Sequence, residues 1–85
     1  MDSLNGHTIE EVKQSISNQI KYDVNDIRLF GSRIDGRWTD KSDLDVAILD
    51  SFKVDYPLFS GSYLGLPCEF RFVDSFEVSW LKNSV

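Results

Sequence analysis

The chain has 85 residues, with 9 Lys plus Arg against 14 Asp plus Glu and a formal net charge of −5. This length suits one small domain, residues 1–85, and the acidic balance argues against a protein that grips a nucleic-acid backbone, which needs clustered cations. Short apolar runs exclude a transmembrane helix, and a single cysteine, Cys68, excludes both a disulfide framework and a cysteine-rich metal site.

The first predicted element runs from about His7 to Lys21. Thr8 and Glu11 fit a capping box, and Asn5 is an alternative cap. Ile9, Val12, Ile16 and Ile20 recur at spacings of three and four, which is one apolar stripe of an amphipathic helix. Asp26–Phe30 reads as a short strand that Gly31 ends sharply. Ser32-Arg33-Ile34-Asp35 then begins a short helix, stopped by Gly36.

Residues 42–49 read as a second strand, polar at its start and apolar from Val46 to Leu49, as in a strand buried on both faces. Residues 50–67 are aromatic and turn-rich and read as a loop. Residues 68–73 alternate cleanly as a third strand, and Ser75–Leu81 as a closing helix with Ser75 as cap and Phe76, Trp80 and Leu81 facing the core. The fold class is therefore α+β: a small mixed β-sheet with helices packed on one face. A core this small leaves about 3–5 kcal/mol of net stability, which makes a partner, a dimer or a bound ligand relevant to the folded state. Met1, Asp2 and Ser3 open the chain without a basic-then-apolar signal region, so the cytoplasm is the expected compartment.

Three features converge on one chemistry. Asp43 and Asp45, at i and i+2 of a strand, leave the same face of the sheet. Carboxylates so close raise each other's pKa unless cations neutralise them, and Mg²⁺ is typically held by one or two carboxylates plus substrate phosphates. Gly31-Ser32 follows a strand and opens a helix, an arrangement that cradles phosphate on backbone N–H groups and a hydroxyl, with Arg33 as a cation at its edge. Glu69 shares a face with Arg71. If its strand lies beside the Asp43–Asp45 strand, Glu69 becomes a third carboxylate. A phosphate cradle beside a two-metal carboxylate group suits nucleotidyl transfer.

At this point the residues resemble a known family. Leu29-Phe30-Gly31-Ser32-Arg33, ten residues after Ser32, and then Asp43-Leu44-Asp45 are similar to the signature of the minimal nucleotidyltransferases of the polymerase-β-like superfamily. Glu69, within Cys68-Glu69-Phe70-Arg71-Phe72-Val73-Asp74, stands where that family carries its third acidic residue. The resemblance implies two Mg²⁺ ions and an NTP, usually ATP. Gly31 and Ser32 would position the triphosphate, Asp43 and Asp45 would bind both metals, and Glu69 would hold the catalytic metal and orient or deprotonate the acceptor hydroxyl. Many stand-alone members are antitoxins that transfer AMP to a tyrosine of a HEPN-domain toxin. The resemblance thus implies a protein adenylyltransferase, and the acidic balance argues against direct nucleic-acid binding.

Two other readings stand beside it. A degenerate nucleotidyltransferase fold would inhibit a toxin or defence protein by occlusion, through its acidic surface and edge strands. Alternatively, the chain forms the catalytic half of a larger assembly. Cys68 reads as a small buried hydrophobe and His7 as chemically idle.

Overall fold

The computed structural model describes residues 3–85. Met1 and Asp2, on which the reading of the N-terminus partly rests, lie outside the described residues. No helix among those described is long and apolar enough to cross a membrane.

Helix α1 spans Ile9–Ile20. The capping box forms as the sequence predicts. Thr8 Oγ1 accepts the Glu11 N–H at 3.1 Å, and the Thr8 N–H donates to Glu11 Oε1 at 3.0 Å. This satisfies two of the donors that a helix start leaves open. Lys21 closes the helix in the left-handed conformation, with φ 66°. Val12 and Ile16 are fully buried, and Ile9 and Ile20 pack against the same core. Asn5 is not the cap. It adopts φ 59°, and its side-chain amide donates to the Leu64 carbonyl at 3.3 Å.

Four strands form one mixed sheet: β1 (Ile27–Phe30), β2 (Leu44–Leu49), β3 (Phe59–Tyr63) and β4 (Leu66–Val73), in the order β1-β2-β4-β3. β2 runs antiparallel to β1 and parallel to β4, while β3 is antiparallel to β4. Strand β3 corrects the loop expected over residues 50–67. Its sequence, Phe-Ser-Gly-Ser-Tyr, carries the composition of a turn and hides its pairing. The β3–β4 hairpin closes through Leu64 and Gly65, both at positive φ (53° and 77°), the pattern of a two-residue type I′ turn. Strand β4 starts two residues earlier than expected. Pro67 fits because there β4 has β3 alone as its strand neighbour, pairing with β2 only from Cys68 onward.

One sheet face, with Ile27, Leu29, Leu44, Val46, Ile48, Cys68 and Phe70, packs against α1 and forms the main core. On the opposite face Ala47, Val73 and Leu81 form a smaller cluster. The closing helix expected at Ser75–Leu81 is reduced to a 3₁₀ turn at Ser79–Leu81. Ser75 accepts the Glu77 N–H in a local turn instead of capping a helix. Only Leu81 of that segment is fully inserted, and Trp80 stays 49% exposed. The segment then reaches β1, where Val85 exchanges two backbone hydrogen bonds with Leu29, at 2.8 and 2.9 Å. It therefore covers only part of the second face, and the ends of β2 and β4 that carry Asp45 and Glu69 stay partly exposed.

Candidate active site

Gly31 connects β1 to the four-residue helix α2 (Ser32–Asp35) with φ 87° and ψ −166°, a conformation open to glycine and strained for other residues. The Ile34 and Asp35 N–H groups donate back to the Gly31 carbonyl at 3.0 Å each, which fixes the turn. Glycine is also required by space. A Cβ on residue 31 would lie 2.0 Å from Asp45 Oδ2. The turn backbone and the Asp45 carboxylate are thus packed directly against each other.

Asp43 is presented by a braced loop. The Ser42 N–H donates to the Thr39 carbonyl at 3.0 Å, and the Thr39 N–H donates to Ser42 Oγ at 2.9 Å. Arg33 holds the same loop from below. Its Nε donates to the Ser42 carbonyl at 2.7 Å, an Nη donates to the Ser3 carbonyl at 2.9 Å, and the guanidinium lies 5.1 Å from the Trp38 ring centre. Arg33 is 5% exposed. The structure therefore places it under the turn as packing, away from the cradle edge where the sequence reading put it. A guanidinium spends its donors on buried carbonyls when the chain supplies no other partner for them.

Glu69 is the Cα partner of Asp45 on the neighbouring parallel strand. The alternation expected for β4 holds: Phe70 enters the main core, and Glu69 and Arg71 emerge on the other face. Asp45 and Glu69 are thus side by side at one end of one face, with Gly31 packed against Asp45; Asp43 precedes β2, outside the strand on which the sequence reading placed it, though its charge still acts on Asp45. Burial pushes the Asp45 carboxyl up from the ordinary aspartate range. Glu69 raises it further, Arg71 counteracts, and Asp43 adds a smaller push in the same direction as Glu69. Arg71 sits 3.6 Å from Glu69 and between two rings, 5.4 Å from the centre of Trp80 and 5.8 Å from that of Phe30.

The donor set is oxygen only, which matches a hard divalent cation. Among the described residues no three His, Cys, Asp or Glu side chains are close enough to hold an ion unaided. Two neighbouring carboxylates completed by substrate phosphate oxygens is the usual arrangement for Mg²⁺, and the residues fit it.

Sequence reasoning did not find the flank of this site. A cleft of about 320 Å³ opens beside Gly31, between α2 and residues 79–84, with Trp80 in its wall. The irregular closing segment carries no periodic signal that would have shown it. Cys68 is the small buried group that the sequence predicts. The Cys68 thiol is buried, pushed up to about 11 by desolvation, and donates to the Leu66 carbonyl. His7 lies 3.7 Å from the Glu11 carboxylate, just before α1.

A small mixed sheet with paired carboxylates on adjacent parallel strands, next to a glycine turn that opens a helix, defines a nucleotidyl-transfer fold. The chain belongs to the nucleotidyltransferase domain family, whose model matches residues 9–83. Members of that family act on nucleoside triphosphates and generally use a divalent metal. No curated protein and no solved structure matches the chain.

Proposed function

We propose that this domain transfers a nucleoside monophosphate, AMP from ATP, to a hydroxyl group of a protein partner in the cytoplasm. The observation that carries the reading is Asp45 lying beside Glu69 with the Gly31 backbone against its carboxylate. In this reading Gly31 and Ser32, at the turn between β1 and α2, receive the triphosphate beside the Asp45 carboxylate. Asp43, Asp45 and Glu69 would hold Mg²⁺ together with oxygens of the bound phosphates. Bound Mg²⁺ supplies neutralisation of the carboxylates and of the charge that develops on the phosphates. Glu69 orients the acceptor hydroxyl and accepts its proton. The acceptor oxygen forms a bond to the α-phosphorus as the bond to the pyrophosphate oxygen breaks.

A protein acceptor is supported by the exposed apolar loop before β3, where Phe52 is 94%, Tyr56 58% and Leu58 50% exposed. A HEPN-type toxin is the acceptor that the family resemblance suggests. The test is transfer of label from α-labelled ATP to a co-purified partner, with wild type and with Asp43→Asn/Asp45→Asn. Label transfer that survives the double substitution would sink the assignment.

One observation favours a second reading, a binding module without chemistry. Arg71 already pairs with Glu69 at 3.6 Å and would compete with a cation there. In that case the double variant inhibits its partner as well as wild type does.

A further inference from the structure

Beside the carboxylates lies the cleft between α2 and the closing segment, lined by Phe30, Gly31, Ile34, Arg37, Trp80 and Lys82 among others. We propose that this cleft receives the nucleoside end of the nucleotide, with the Trp80 indole as the surface on which the base stacks and Lys82 as countercharge to the phosphates that cross Gly31. The assignment rests on the nucleotidyl-transfer reading and adds a substrate subsite to it.

Position is the first argument. Phe30 and Gly31 belong to the cleft and to the carboxylate site at once. Phe30 is the strand partner of Asp45, and Gly31 abuts the Asp45 carboxylate. A ligand seated in the cleft therefore has one end at Gly31, the residue that packs against Asp45. Size is the second. At about 320 Å³ the cleft is at the lower end of small-molecule pockets, which suits a nucleoside with its phosphates leaving over Gly31.

The third argument is the indole itself. Trp80 is 49% exposed although it belongs to a packed segment. It is held in place by an edge contact with Phe30, with ring centres 5.3 Å apart at 63°, and by the Arg71 guanidinium 5.4 Å from its ring centre. An aromatic surface fixed by its neighbours and left half open is a stacking platform for a planar ligand. Charge is the fourth. Arg37 is paired with Asp35 at 2.7 Å, whereas Lys82 has no carboxylate within ion-pair distance among the described residues. In a chain of net charge −5, an unpaired ammonium in this cleft favours an anionic ligand.

The experiment is calorimetric titration of the 85-residue chain with ATP and, separately, with inorganic tripolyphosphate, both with Mg²⁺. Trp80→Ala should weaken ATP binding by roughly ten- to a hundredfold, the range of base–aromatic stacking, and leave tripolyphosphate binding unchanged. Trp80→Phe should keep near wild-type ATP affinity, and Lys82→Gln should weaken both ligands. If Trp80→Ala does not fold, Trp80→Leu, apolar but without a π face, carries the same comparison. Unchanged ATP affinity in the folded variant overturns the subsite, as does an equal loss for both ligands. A wild type that binds tripolyphosphate as tightly as ATP also overturns it and leaves the nucleotidyl-transfer reading in place. A wild type that binds neither ligand overturns that reading and the subsite with it.

Discussion

Gly31 and Asp45 are in contact so close that no side chain fits between them: a Cβ on residue 31 would lie 2.0 Å from Asp45 Oδ2. Gly31→Ala also meets a φ of 87°. The backbone strain alone costs about 1–3 kcal/mol. In a domain of this size each kcal/mol lowers Tm by roughly 4–8 °C. Thermal unfolding should show that drop, and the double variant Gly31→Ala/Asp45→Ala should recover part of it. Nucleotide binding should be lost in both.

Asp45→Asn should separate stability from function. The folded-state pKa of Asp45 is raised by burial and then by Glu69, so the native state favours the protonated carboxyl. The stability this group contributes is therefore fully present below the unfolded pKa, near the ordinary aspartate value of 3.8, and is lost as pH rises through the raised folded value. At pH 7 the asparagine variant should melt at or above the wild-type temperature, and the difference should shrink as pH falls into the ordinary aspartate range. Label transfer from ATP should be abolished in the same variant. A lower Tm at pH 7 would contradict the expected sign.

Arg33→Ala should cost about 2–3 kcal/mol, because it removes a buried group and leaves the Ser42 and Ser3 carbonyls without their donor. Urea unfolding measures this directly. Arg33→Lys should recover little, since an ammonium lacks the planar fork that reaches two carbonyls and stacks on Trp38.

Leu64→Asn should raise stability by roughly 0.5–1 kcal/mol, because asparagine tolerates the left-handed conformation that Leu64 adopts at φ 53° in the hairpin turn. A shift in the urea midpoint at unchanged slope is the expected signature.

Cys68 should resist thiol reagents at neutral pH in the native protein. The residue is 2% exposed and its thiol pKa is pushed up to about 11. Labelling should appear only with unfolding, which makes the residue a probe of global opening.

Local chemistry was legible where neighbours in sequence are neighbours in space. The capping box at Thr8 and Glu11, the apolar stripe of α1 and the Gly31–Ser32 turn all span four residues or fewer between members. The type of each such element follows from period and capping alone. Strand β3 was not legible, because Ser60, Gly61 and Ser62 hold a strand conformation only while β4 supplies their partners. Arg33 was misread for a related reason: a cation next to a glycine turn has the same local sequence whether it faces solvent or two buried carbonyls.

The sequence by itself determined the class of this domain and the glycine turn that opens α2. Only the tertiary structure decided that β4 lies parallel beside β2, which sets Glu69 next to Asp45 across 24 positions of chain. It also decided that the closing segment, anchored by Leu81 and by the Val85–Leu29 pair, leaves Trp80 in the wall of a cleft. Strand order and the course of an irregular segment are set by which apolar surfaces can be buried together, and that competition involves the whole chain at once.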